Sequence, residues 1–156
     1  MKLIIRFWSI EITYQASSPD EAALVKGAAS MGFRFTVRRP RSVTVQILGE
    51  DKEFEILNVC EFNSTRKRMS VICRHPDGKI VLYCKGADTV IYERLKKGAN
   101  PYSDKTLELL EECATEGLRT LCLARREISA DEYTSWNKQY EIAANTINNR
   151  SAEVGI

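Results

Sequence analysis

The stretch of sequence that decides the fold is EFNSTRKRMSV, at residues 61–71. An alternating run enters it, with apolar residues at positions 54, 56, 57 and 59, and a second run leaves it, with apolar residues at positions 69, 71 and 72. Short apolar runs of this kind on both sides of a polar segment are typical of two strands joined by a loop. We therefore predict a strand, a connecting loop and a second strand at the centre of the chain.

The predicted loop contains one aromatic ring, Phe62, followed by three consecutive cations, Arg66, Lys67 and Arg68. A ring beside fixed positive charge suits a ligand that has both a flat π face and phosphates. Stacking of a base on such a ring contributes roughly 1–3 kcal/mol, and a charge-assisted contact to phosphate about 1.5–3 kcal/mol. The structural alternative is a solvated basic hairpin in which Phe62 belongs to the core.

The composition fits one globular domain of 156 residues, 44% of them hydrophobic. The net charge is +2, from 23 basic and 21 acidic residues, which is not that of a highly basic nucleic-acid-binding arm. The five cysteines are scattered, without Cys-x-x-Cys spacing, and His75 is the one histidine. This pattern favours reduced thiols in a cytosolic setting and argues against a zinc site. We predict no metal site and no catalytic residue in this chain.

The remaining elements are predicted from capping and periodicity. Ser18 and Pro19 open a helix that runs to Met31, with Glu21 completing a capping box. We expect strands at 33–38 and 43–47, with phenylalanines inward and arginines outward, and a hairpin of strands at 69–74 and 79–84. They are followed by a helix at 89–95 capped by Asp88, a helix at 103–116 and a strand at 118–124. The last helix begins after Ser129 and has an aromatic stripe at Tyr133, Trp136 and Tyr140.

Three further residues could face a ligand, and each has a plainer structural explanation. Glu21 is either an acceptor at a pocket or only a capping group. Lys85 precedes Gly86, which would let the backbone approach a ligand closely, but Lys85 could equally be an ordinary strand-end cation. Arg119 is a lone cation in an apolar run and needs a partner if it is buried.

Four motifs occur in an order that resembles one family. They are SPDEAALV at 18–25, Phe62 with RKRMSV at 66–71, YCKGAD at 83–88 and EGLRTL at 116–121. Together they resemble the nucleotide-binding (N) domain of a P4-type ATPase, a phospholipid flippase, from about Tyr14 to about Arg150. The resemblance implies an α+β fold in which an antiparallel β-sheet is flanked by helices.

The resemblance also implies roles at an ATP site. Phe62 would stack on the adenine ring, Glu21 would lie at the adenine edge, and Lys67 would form the floor of the pocket. The other implied ATP-binding residues are Lys85 beside the nucleotide, Gly86 for close packing, Arg119 at the ribose or phosphates, and Leu121 beside the base. Residues 14–150 would then be the nucleotide-binding domain, with residues 1–13 an atypical N-terminal segment, read as a terminal strand or an artefactual start, and 151–156 a C-terminal tail.

The family's aspartyl-phosphate signature is absent. Asp104-Lys105-Thr106 is followed by Leu107 and is interpreted as the first turn of a helix. By resemblance, the parent protein would be an ATP-hydrolysing, phospholipid-translocating enzyme, with ATP as substrate and Mg²⁺ bound largely outside this chain. The expected partners are its phosphorylation and actuator domains, membrane phospholipid and an accessory subunit, and nucleic acid is not among them. The domain would lie at the cytosolic face of a membrane.

Two other functions stay open at this point. One is a binding module for nucleic acid or anionic membrane, which would use a basic face of Arg34, Arg38, Arg39 and Arg41 with residues 66–68 and would show steep salt dependence. The other is a scaffold fragment that binds no small molecule, because the unusual N-terminal segment disturbs the fold.

Overall fold

The structure is a computed structural model that describes residues 14, 16, 18–96, 98 and 100–145. The expected segment 1–13 and the expected tail 151–156 lie outside the described residues, as does the expected domain end at residue 150. Within the described part of the chain, no helix combines the length and apolar character needed to cross a bilayer.

Six strands form one antiparallel sheet in sequence order, β1-β2-β3-β4-β5-β6, and helices flank it, which confirms the expected α+β fold. The strands are β1 (Phe33–Arg38), β2 (Ser42–Ile47), β3 (Glu50–Cys60), β4 (Arg68–Arg74), β5 (Ile80–Gly86) and β6 (Cys122–Ile128). The helices are α1 (Pro19–Ser30), α2 (Asp88–Tyr92), α3 (Ser103–Thr115) and α4 (Ala130–Asn145). The chain divides after Phe54 into two compact units.

The first unit contains α1, β1, β2 and the start of β3. Its helix begins as the sequence predicts, because the Ser18 hydroxyl accepts the backbone N–H of Glu21 at 3.2 Å. Arg34 and Arg38 are exposed, as expected of outward-facing side chains. The inward prediction holds for Phe35, which is half-buried, but not for Phe33, which is exposed at the first position of an edge strand.

The second unit contains the continuous ladder from the end of β3 to β6. Residues Arg68–Arg74 of β4 pair in unbroken register with Ile80–Gly86 of β5, which pair in turn with Cys122–Ile128 of β6. Its core is formed by buried side chains, namely Cys60, Ile72, Cys73, Ile80, Val81, Ile91, Cys122 and Ala143. The last helix is fixed to β3 through Asn58, which accepts the Tyr133 hydroxyl at 2.8 Å and donates to Asn137 at 3.0 Å.

Two predicted elements end or begin elsewhere. The strand expected at 118–124 begins only at Cys122, because β5 ends at Gly86 and the register pairs Gly86 with Cys122, so that the preceding residues have no strand partner in this ladder. The helix expected at 89–95 is shorter. Its N-cap is Ala87 rather than Asp88, and beyond Tyr92 the backbone bonds tighten, with Leu95 N–H donating to Tyr92 O at 3.3 Å.

Candidate functional site

The loop between β3 and β4 is shaped by Asn63. Its side-chain oxygen accepts the backbone N–H of Arg66 at 2.6 Å, and its carbonyl accepts the N–H of Lys67 at 2.9 Å. Lys67 then adopts the left-handed conformation, with φ of 51°, and turns the chain into β4. Our sequence interpretation did not single out Asn63. The signal that could have identified it is the tendency of asparagine to bond backbone groups a few residues ahead.

The aromatic ring of this loop is open to solvent. Phe62 is 61% exposed, so it does not belong to the core as the structural alternative supposed. Burial also separates the three consecutive cations that the sequence presents as one run: Lys67 is exposed, Arg66 is half-buried and Arg68 is only 8% exposed. Of these three cations, Lys67 is therefore the one that is exposed on the loop that carries the ring.

Gly86 is the point at which this loop meets the end of β5. A β-carbon on residue 86 would lie 2.7 Å from the carbonyl oxygen of Lys67 and 2.8 Å from the β-carbon of Arg68. The same Lys67 carbonyl accepts the N–H of Ala87 at 3.3 Å. Because real β-carbons essentially never approach so closely, only glycine fits here. Lys67 and Gly86 are therefore in contact. The space beside the glycine is filled by backbone, so it is not open to a ligand.

Lys85 lies in a cross-strand row with Met69 of β4 and Leu123 of β6. Paired residues of neighbouring strands share a face of the sheet, so these three side chains project to the same side. Leu123 is 70% exposed there and Lys85 is half-buried. The arrangement gives a cation on an open, partly apolar face, next in sequence to the glycine that contacts the loop of Phe62.

Arg119 and Leu121 lie on the irregular segment that enters β6. Arg119 is exposed, and since it is not in a buried strand its charge carries no burial cost. Leu121 lines a cavity of about 590 Å³ at the β6 edge, which it shares with Ile91 of α2 and with Thr106 and Leu110 of α3. Asp104-Lys105-Thr106 falls in the first turn of α3, as predicted.

Six of the seven predicted ATP-binding residues belong to the second unit. Phe62 and Lys67 share a loop, Lys67 contacts Gly86, and Lys85 adjoins Gly86. Glu21 belongs to the first unit, on the first turn of α1.

Burial controls the ionisation of the groups around the loop. Desolvation raises the pKa of the Cys60 thiol, and the charge of nearby Arg66 partly opposes that shift. Desolvation lowers the pKa of Arg68, and the like charges of Arg94 and Arg66 lower it further. The five cysteines are free thiols in the structure.

Comparison with known proteins gives consistent matches. The family model described as "P-type ATPase, cytoplasmic domain N" matches residues 11–156. Phospholipid-transporting ATPase DRS2 of Saccharomyces cerevisiae is 59% identical over 145 residues, which is 92% of this chain and 11% of that protein. Phospholipid-transporting ATPase C887.12 of Schizosaccharomyces pombe is 58% identical over 143 residues, again 92% of this chain and 11% of that protein.

A human relative extends the comparison. Phospholipid-transporting ATPase IC of Homo sapiens is 49% identical over 140 residues, 90% of this chain and 11% of that protein. The chain therefore spans only about 11% of the length of each of these relatives.

Proposed function

The chain belongs to the P-type ATPase cytoplasmic domain N family, which confirms the resemblance found in its sequence, and from this premise we propose that it is the ATP-binding domain of a phospholipid-translocating ATPase. The relatives named as phospholipid-transporting ATPases, at 49–59% identity, support the lipid-transporting branch of the family. In this proposal the domain holds ATP so that its terminal phosphate reaches an aspartate on a separate domain.

The observation that carries the proposal is the exposed Phe62 ring on a loop whose Lys67 backbone is held against Gly86. An exposed phenylalanine on an ordered loop is a stacking platform, and it would hold the adenine ring. Lys67 lies on the same loop. Lys85 lies one residue before Gly86, which contacts that loop, and it projects from the open face of the sheet. Both cations would lie near the phosphates of a nucleotide whose adenine ring stacks on Phe62.

The remaining predicted residues take their proposed roles from position. Arg119 would reach the ribose or phosphates, and Leu121 would pack beside the base. For Glu21, at the start of α1 in the first unit, the role at the adenine edge stays a prediction from the resemblance. Among these proposed ligands Glu21 is the one carboxylate. Since magnesium prefers oxygen ligands and the groups proposed near the phosphates are cations, Mg²⁺ would be held largely outside this chain.

The whole protein's activity follows as part of the proposal. The parent would hydrolyse ATP, and its phosphorylation and actuator domains would complete the cycle that moves a membrane phospholipid, with an accessory subunit as a further partner. The domain would lie at the cytosolic face of the membrane. The basic-face alternative is less well supported, because Arg39 is paired with Glu53 at 3.0 Å and is thereby partly neutralised.

The binding should be weak. One stacked ring and one or two charged contacts must offset an association cost of roughly 4–15 kcal/mol. A Kd of about 0.1–10 mM, or about −3 to −5.5 kcal/mol, is expected. The adenosine half should supply most of the affinity, since the metal-bound end of the nucleotide is proposed to be held elsewhere.

The test is an amide-shift titration of the 156-residue chain with ATP, without magnesium, up to several times the expected Kd. We expect saturable shifts concentrated at residues 61–67, 85–87 and 119–121, which added salt weakens but does not abolish. A well-dispersed spectrum with no shifts would overturn the proposal. Shifts confined to residues 34–41 that salt abolishes would instead support the basic-face alternative.

A further inference from the structure

The second unit contains a cavity of about 760 Å³ on the face of the sheet opposite Lys85. Ser70 and Cys84 line it and form a cross-strand pair, and each is next in sequence to a member of the Met69–Lys85 row. Because successive residues of a strand project to opposite faces, the cavity and the Lys85 side chain lie on different sides of the sheet. The cavity is therefore a separate place from the proposed adenine site.

The lining of this cavity is cationic. Arg68, Arg94, Lys96 and Arg126 all contribute to it, and none of its lining residues in the described part of the chain is acidic or aromatic. Arg125 also lines it, but Arg125 pairs with Tyr83 in the register of β5 and β6, on the same face of the sheet as Lys85, so it is not counted among these charges. We call Arg68, Arg94, Lys96 and Arg126 the cationic cavity cluster.

Arg68 supplies the deepest of these charges. It is 8% exposed, and its Nη1 atom donates to the Arg66 carbonyl at 3.1 Å. The like charges of Arg94 and Arg66 add to the cost of burial in lowering the pKa of Arg68. The Nε and Nη2 atoms of neighbouring Arg66 are also buried, with no acceptor within the described residues. Positive charge is thus concentrated behind the cavity wall.

Two members of the cluster, at the rim of the cavity, pair with carboxylates. Glu93 pairs with Arg94 at 3.1 Å, and Glu132 pairs with Arg126. The Nη1 atom of Arg94 donates to Glu93 at 3.1 Å and to the Val90 carbonyl at 2.8 Å, and a guanidinium has five N–H donors in all. Exposed ion pairs of this kind contribute little to stability, so a more highly charged anion can compete with these carboxylates.

We propose that this cavity binds a multiply phosphorylated small molecule through the cationic cavity cluster. Guanidinium groups match phosphate oxygens in geometry and bind them with two parallel hydrogen bonds. Ser70, which is 3% exposed at the cavity wall, donates its hydroxyl to the sulfur of Cys84 at 3.4 Å, a weak acceptor that a phosphate oxygen can replace. A nucleotide is a poorer occupant, because no aromatic ring among the described lining residues offers a stacking surface for a base.

The phosphates could be carried by a soluble molecule or by a lipid headgroup, and the test separates these sources. Inositol hexakisphosphate is titrated into the full chain by calorimetry at fixed ionic strength. Vesicles of phosphatidylcholine with and without phosphatidylinositol bisphosphate are sedimented with the chain in parallel. Binding of the soluble probe alone assigns a soluble ligand, and additional sedimentation with the phosphorylated vesicles assigns a headgroup.

Variants at the exposed rim make the test specific, since a substitution of buried Arg68 could fail to fold. Arg94→Gln and Lys96→Gln should each weaken binding of the probe about tenfold, as expected for losing a charge-assisted hydrogen bond. The matched control is Lys105→Gln, which removes the same charge from the surface of α3, where Lys105 pairs with Glu108 at 2.7 Å. It should leave the affinity unchanged.

Three results would overturn the proposal: no binding of the probe, unchanged binding in both rim variants, or an equal loss in Lys105→Gln, which would indicate non-specific attraction to a basic surface. The proposal is independent of the adenine site. Phe62→Ala should keep the affinity for inositol hexakisphosphate, and Arg94→Gln should keep the affinity for adenosine, so the failure of one site does not imply the failure of the other.

Discussion

The carbonyl oxygen of Lys67 lies 2.7 Å from the point that a β-carbon on residue 86 would occupy, so the loop after β3 and the end of β5 meet with no side chain between them. Lys67 is itself left-handed, a conformation that costs a non-glycine residue roughly 1–2 kcal/mol. The bonds of its N–H to Asn63 and of its carbonyl to Ala87 hold that conformation. The position of the Phe62 loop therefore depends on a glycine that lies far from it in sequence.

The first prediction concerns Gly86→Ala. The added methyl group would meet backbone at Lys67 and the β-carbon of Arg68, neither of which is the flexible end of a side chain. We expect a loss of about 1–3 kcal/mol in the free energy of unfolding, as for other overpacked sites, together with weaker ATP binding. Urea unfolding and the ATP titration measure the two effects.

Gly27→Ala is the control for this variant. Gly27 lies within α1, and a β-carbon there would have nothing within 4 Å. The change should raise stability by roughly 0.5–1 kcal/mol, because alanine favours helix over glycine. Equal effects of the two substitutions would contradict the close contact that we describe at Gly86.

The second prediction concerns Phe62→Ala. Because the ring is 61% exposed, its removal should leave the unfolding free energy nearly unchanged. Loss of the stacking surface should cost about 1–3 kcal/mol of adenosine binding, which moves a millimolar affinity beyond detection. Tyr102→Ala removes another exposed ring, 72% exposed at the start of α3, and should not alter binding. Equal affinity of Phe62→Ala and the unchanged chain would refute the stacking role.

The third prediction concerns Tyr133→Phe. The lost hydroxyl donates to Asn58 at 2.8 Å, and Asn58 in turn donates to Asn137, so the substitution leaves a half-buried acceptor without this donor. We expect destabilisation of about 1 kcal/mol in urea unfolding with ATP affinity unchanged. Tyr102→Phe, at an exposed position, should have no effect. A similar loss in both variants would mean that the bond from α4 to β3 does not contribute to stability.

Capping and alternation predicted the elements well where the signals are local. Ser18 and Ser129 each cap a helix as the sequence indicates, through bonds to the N–H groups of Glu21 and Glu132. The hairpin strands of β4 and β5 also lie close to their predicted bounds. These signals depend on residues within a few positions of each other, so the sequence contains them completely.

The start of β6 was not predictable in this way, because it depends on where β5 ends. Leu118 and Leu121 have the apolar character of a strand, but they lie beyond the pairing of Gly86 with Cys122.

The different burial of Lys67 and Arg68 could not be predicted from the sequence either. The left-handed turn at Lys67 separates an exposed loop cation from a buried strand cation, and no property of a run of three basic residues indicates that turn.

The fourth prediction concerns pH. Burial raises the pKa of the thiols of Cys60, Cys73 and Cys122 in the folded chain. A raised folded pKa gives stability that is complete below the unfolded pKa, about 8.5, and is lost as pH rises through the folded pKa. The free energy of unfolding should therefore fall above about pH 8.5, by up to about 1.4 kcal/mol per pH unit for each thiol.

Urea unfolding at a series of pH values, under reducing conditions, measures this slope. Cys73→Ala should make it shallower by the contribution of one thiol, whatever its effect on stability at neutral pH. A slope that stays the same in this variant, or a flat profile in the unchanged chain, would show that the buried thiols do not set the alkaline limit.

The last prediction concerns Arg119→Ala and separates the two halves of the nucleotide. Arg119 is exposed on the irregular segment before β6, so its truncation should leave the unfolding free energy within about 0.5 kcal/mol of the unchanged chain. If it meets the ribose or phosphates, ATP binding should weaken by about 1.5–3 kcal/mol, the value of a hydrogen bond to a charged group. Adenosine lacks the phosphates and should lose less. Amide-shift titrations of both ligands measure the difference, and Lys105→Ala, which removes an exposed cation of α3 that pairs with Glu108, is the matched control. An equal loss for ATP and adenosine would place Arg119 at the base instead, and no loss for either would remove it from the site.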